Sequence, residues 1–122
     1  MSYGVLASRS ATLLVEATGV AGGGEADAAL DRFHEVWGGA WVPGRLTLTR
    51  LHVSFIPHRS GRGTAMLDLA VRELAGVEVG AGLVQKVLRV RTTRHVVSFR
   101  CLGAPALAQL VAPLLVPGSR RA

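Results

Sequence analysis

Gly44-Arg45-Leu46-Thr47-Leu48-Thr49-Arg50-Leu51-His52-Val53-Ser54-Phe55-Ile56-Pro57 is the stretch on which the fold turns. Leu46 and Leu48 share one face of an extended chain. After a tight turn, Val53 and Phe55 return apolar groups to that face at the same period of two. The pattern predicts a half-buried antiparallel hairpin, opened by Pro43-Gly44 and closed by Pro57.

The same periodicity reappears downstream. Residues 87–91 and 96–101 predict a second hairpin around Thr92-Thr93-Arg94-His95. In it Leu88, Val90, Val97 and Phe99 face inward, and Arg89, Arg91 and Arg100 face out. Between the two hairpins, residues 58–63 read as a basic loop, and residues 64–71 and 74–79 as short strands. Near the C-terminus, Leu107, Leu110, Val111, Leu114 and Leu115 fall at i, i+3, i+4, i+7 and i+8, the stripe of an amphipathic helix. Pro105 is tolerated in its first turn and Pro113 ends or bends its last. Such a stripe has to cover a sheet.

Upstream of the first hairpin, residues 11–18 predict the first strand, and Gly22-Gly23-Gly24 a flexible strand-to-strand loop. Residues 25–37 admit two readings. Ala26, Leu30, Phe33 and Trp37 recur at helical spacing, whereas Phe33 to Trp37 also satisfies the rules for a strand. The chain shows neither an internal repeat nor a linker, and 122 residues suit one domain with a real core, reading as residues 11–116 with a frayed tail.

Composition bounds the function. Apolar residues make up 49% of the chain and the mean hydropathy is +0.36, values of a folded globule rather than a disordered chain. No apolar run is long enough to span a bilayer, and the N-terminus lacks the layout of a secretory signal, so a cytoplasmic address is expected. Cys101 is the single cysteine and excludes an internal disulfide. The net charge is +6, but it is unevenly spread. Residues 1–44 carry two arginines against five carboxylates, a balance of −3; residues 45–122 carry twelve basic groups against three acids, a balance of +9. A basic body of this kind steers anionic partners. A GC-rich codon usage also accounts for part of it, since thirteen of the fourteen basic residues are Arg.

The wording of the first hairpin, G-R-L-x-L-T-x-x-x-V/L-x-F-x-P, resembles the core hairpin of GRAM domains, which are pleckstrin-homology-like β-sandwiches. Residues 69–78, with Glu73 at the acidic position and Leu74 and Val77 as apolar anchors, are similar to a second segment of that family. Residues 88–92 and 97–99 are similar to its later hairpin. Leu51-His52 and Ala70 depart from its usual residues. The resemblance implies about seven antiparallel strands in two near-orthogonal sheets, capped by one C-terminal helix. It also implies a binding role rather than catalysis.

Sites for chemistry are sparse. Glu25 follows the glycine run and opposes phosphate; His34-Glu35 lacks the second histidine of a zincin, since Gly38 stands there. Asp27 and Asp31 read as part of a solvated helix face, and Asp68 and Glu73, separated by a strand end, do not pair with each other as an acid and a base. Neither cofactor, metal nor catalytic residue is expected. The candidate contacts are His58, Arg59, Arg62, Arg94 and His95, on the loops that open at one end of such a sandwich, with Trp37 and Trp41 as anchors if exposed and as core over a sheet edge if not. Their expected partner is a protein or an anionic phospholipid surface, engaged by a peripheral adaptor. A homo-oligomeric scaffold is the alternative. Nucleic acid is disfavoured because Phe55 and Phe99, the only aromatics of the basic half, point inward.

Overall fold

The computed structural model describes residues 4–58, 66–80 and 86–115. Seven strands form one antiparallel sheet: β1 (Val5–Ala17), β2 (Val42–Thr49), β3 (His52–Pro57), β4 (Leu67–Ala70), β5 (Gly76–Gly80), β6 (Val87–Arg91) and β7 (His95–Arg100). The order across the sheet is β4-β3-β2-β1-β7-β6-β5, so β4 and β5 are its two edges and the sheet does not close. Two helices accompany it, α1 (Glu25–Trp37) between β1 and β2, and α2 (Ala104–Val111) after β7.

The quoted hairpin is β2–β3, with Leu46 opposite Phe55 and Leu48 opposite Val53. Thr49 closes its turn, its Oγ1 accepting the backbone N–H groups of Leu51 and His52. The first strand begins earlier than expected, at Val5. Arg9, exposed at the parity of buried Ala7 and Ala11, interrupts the apolar alternation there. Strand β1 is long because it serves both halves of the sheet. Residues 5–13 pair with β2 and residues 12–17 with β7, so Leu13 has Val42 on one side and Phe99 on the other. What the expectation divided into two sheets is therefore hydrogen-bonded as one. The fourth and fifth strands are shorter or shifted, Leu67–Ala70 and Gly76–Gly80, because a 3-10 turn at Val71–Glu73 takes up the residues between them.

One cluster of buried apolar side chains joins the sheet to both helices. Phe33, Phe55 and Phe99 form its aromatic spine, with centroids 6.3 and 6.1 Å apart. Gly44 sits where β2 crosses this spine. A Cβ there would meet the Phe55 ring at 2.6 Å and Pro57 Cα at 2.9 Å.

Residues 25–37 resolve as a helix, so a second helix joins the single one expected. Leu30 and Phe33 face the core and Trp37 packs against it. Gly24 offers no side-chain cap. The Ala26 N–H is instead accepted by the Glu73 carboxylate at 2.9 Å. Helix α2 starts after Gly103 at φ 77° and gives way to a 3-10 turn at Pro113. Its apolar stripe is narrower than expected: Leu107, Val111 and Leu115 are buried, but Leu110 is exposed. Leu107 and Val111 face Leu46, Leu48 and Val53 from one half of the sheet and Leu88 and Val90 from the other.

Candidate functional site

The β6–β7 turn presents Arg94 and His95, two of the three described residues of the expected mouth. Helix α1 presses two carboxylates onto them. Asp27 lies in its first turn on the buried side, beside Ala26, and Asp31 follows one turn later. His95 is 1% exposed; its Nδ1 is 2.7 Å from Asp27 Oδ1 and its Nε2 is 3.0 Å from Asp31 Oδ1. Both contacts are satisfied together when both ring nitrogens carry hydrogen. Asp27 also accepts the Thr92 hydroxyl and the Arg94 backbone N–H. The Arg94 guanidinium donates to both Asp31 oxygens, at 3.2 and 2.7 Å, and through Nε to the Gly22 carbonyl.

These contacts displace the acid equilibria. Burial raises the Asp27 carboxyl, but hydrogen bonds from His95, Thr92 and the Arg94 N–H outweigh it, and the group lies below its ordinary 3.8. Asp31 is held below the same value chiefly by hydrogen bonds from Arg94, whose own proton is held more tightly in return. The cluster corrects three expectations. Asp27 is interior rather than solvated, His95 is a buried strand residue rather than an exposed turn residue, and residues 22–24 lead into a helix. Gly23 is part of the device: at φ 106° a Cβ would collide with the Asp27 side chain.

The remaining expected contacts scatter. Arg59 and Arg62 lie outside the described residues. Trp37 packs on Phe33, centroids 6.2 Å apart, and lines a groove of about 350 Å³ between α1 and the start of β4. Trp41 is 36% exposed and carries the Arg100 guanidinium 4.0 Å above its ring centroid. The two tryptophans thus belong to different neighbourhoods.

His58 is exposed and borders a second concavity, of about 340 Å³, that the sequence reading did not assemble. Arg9, Ser10 and Thr12 from β1 and Arg100 from the end of β7 line it with His58, and no carboxylate among the described residues does. Arg9 and Arg100 form no ion pair among the described residues. Arg91 and Arg100 are exposed, as their outward positions predict, and Arg91 is paired to Glu78 at 3.1 Å. Cys101 also reaches this cleft, but it is buried, and burial pushes its thiol up despite the nearby Arg9. No local motif marks this site, because its cations come from opposite ends of the chain.

No protein-family model matches the chain, and no curated protein matches it significantly. Among the described residues, no helix is long and apolar enough to cross a membrane.

Proposed function

We propose that this chain is a pleckstrin-homology-like domain of the GRAM type, acting as a non-catalytic binding module for an anionic partner. One observation carries the reading: the carboxylates of α1 neutralise Arg94 and His95, whereas Arg9, Arg100 and His58 surround an acid-free cleft. Charge left uncompensated around a concavity supports recognition of an anion by charge-assisted hydrogen bonds. The strand order and the helix laid over the sheet support the fold assignment, as does the β2–β3 hairpin wording. A binding role also accords with the state of the reactive groups. The Cys101 thiol is buried, and both nitrogens of His95 are occupied. In a cell such a module would work in the cytoplasm, peripheral to a membrane or to a partner protein.

Retention on an immobilised polyanion across a salt series tests this. The R9A/R100A variant is compared with R50A/R72A, which removes the same charge from exposed positions elsewhere. Earlier elution of R9A/R100A than of R50A/R72A is expected. Equal elution of the two would reduce the cleft to a share of the overall charge.

A further inference from the structure

Strand β1 has an open side in the middle of the sheet. It pairs with β2 over residues 5–13, but with β7 only over residues 12–17. Beyond Arg100 the chain leaves the sheet through Cys101, Leu102 and Gly103 to begin α2. From Val5 to Ala11 the β7 side of β1 therefore has no strand partner among the described residues. Among the described residues no backbone hydrogen bond from outside the sheet replaces one there, and the side-chain bond to this segment's backbone is Arg9 Nη1 donating to the Ser8 carbonyl at 3.1 Å. The acid-free cleft of Arg9, Ser10, Thr12, His58 and Arg100 adjoins this notch. Two exposed apolar side chains flank it, Val5 at 41% and Leu102 at 71%.

We infer that the notch receives an extended acidic segment of a partner protein, added as a strand along Val5–Ala11 with its carboxylates against Arg9 and Arg100. The inference rests on the anionic-partner reading and names the partner's chemistry. An unpaired strand edge offers a row of N–H and C=O groups that only another peptide backbone matches in spacing. The cations beside it select the sign of the incoming side chains. Cation–π contact with Trp41 holds the Arg100 guanidinium in place before binding, which lowers the ordering cost. A phosphate or a lipid headgroup satisfies the arginines but leaves the edge unpaired. Arginine beside an edge also serves to repel stray strands, and that protective role differs in its consequence: it predicts no bound peptide.

The test uses a labelled peptide of alternating Glu and Val, about ten residues long to span a strand, and the same peptide N-methylated at alternate residues. Fluorescence anisotropy reads binding, and amide hydrogen exchange of the whole chain reads its location. The expected result is binding of the plain peptide, weakened about tenfold or more by N-methylation and by R9A/R100A. Exchange should slow over Val5–Ala11 and not along β4 or β5. Equal binding of the methylated peptide, or no protection of Val5–Ala11, overturns strand addition. If neither peptide binds while wild-type retention on the polyanion remains cleft-dependent, the strand inference fails and the anionic-partner reading stands. If R9A/R100A and R50A/R72A elute together, the anionic-partner reading fails whatever the peptides do. Inorganic phosphate and phosphatidylserine vesicles are run in parallel; competition by phosphate at equal charge concentration also overturns the peptide assignment.

Discussion

The β6–β7 turn and the β1–β7 notch are both built around arginine and histidine, and the fold treats them oppositely. At the turn, α1 brings Asp27 and Asp31 to His95 and Arg94, and the cations become internal fasteners. At the notch, Arg9, Arg100 and His58 border a concavity that no acid among the described residues lines. A basic residue therefore says little about binding until its neighbours are known. The acidic first third and the basic remainder are partly the two halves of one clasp. Charge asymmetry along a sequence is not charge asymmetry in space.

Breaking the clasp should have the largest effect. D27A leaves His95 buried with one carboxylate gone and removes the acceptor of the Thr92 hydroxyl and the Arg94 N–H. A loss on the order of 3 kcal/mol is expected by urea denaturation. A loss under about 0.5 kcal/mol, ordinary for surface changes, would show that the clasp is not structural. R9A, at the notch, should stay within that surface range.

Next in size is Gly23→Ala, which forces a side chain into a left-handed backbone and against Asp27. About 1–3 kcal/mol of destabilisation is expected. In the D27A background the cost should shrink, because part of the collision has been removed; a double-mutant cycle in urea measures that coupling. Strict additivity would mean that the glycine serves the backbone alone.

Acid separates the two regions without mutation. Asp27 and Asp31 titrate lower in the folded chain than in the unfolded one. Their contribution is therefore complete above the ordinary carboxyl value of 3.8 and is lost as pH falls through the lower folded values. Helical signal from α1 and protection of Thr92–His95 amides should decline together below pH 3.8. The D27N/D31N double variant, if it folds, should lose this part of the acid sensitivity. An unchanged acid transition in that variant would move its origin elsewhere.

The smallest effect belongs to W41A. Removing the ring beneath Arg100 costs about 0.5–1 kcal/mol of an exposed cation–π contact. Its consequence should be modestly weaker polyanion retention with little change in thermal midpoint. A large drop in the midpoint would make Trp41 a core residue rather than a support for Arg100.

Much of the sheet was legible because side-chain alternation is local. Leu46, Leu48, Val53 and Phe55 announce their hairpin from within fourteen residues, and Leu88, Val90, Val97 and Phe99 announce the other. Legibility failed where local signals conflicted or were diluted. Arg9 interrupts the alternation in the first half of β1, and a 3-10 turn displaces β5. The glycine run gives no hint that it feeds a helix. Asp27 had a faint signal, since it sits next to Ala26 on the face that also carries Leu30. An acid at the margin of an apolar stripe invites a search for a buried partner. That partner is 68 residues away, and no spacing rule reaches so far.

The sequence by itself determined the mainly antiparallel β character, the two principal hairpins and the covering C-terminal helix. Each follows from the periodicity with which apolar side chains meet a face, a property read within a single element. The tertiary structure decided which charges remain available. Helix α1 closes over the β6–β7 turn, and β7 leaves β1 half paired beside Arg9 and Arg100. Electrostatic compensation and edge pairing depend on distances between elements far apart in the chain, and folding alone sets those distances.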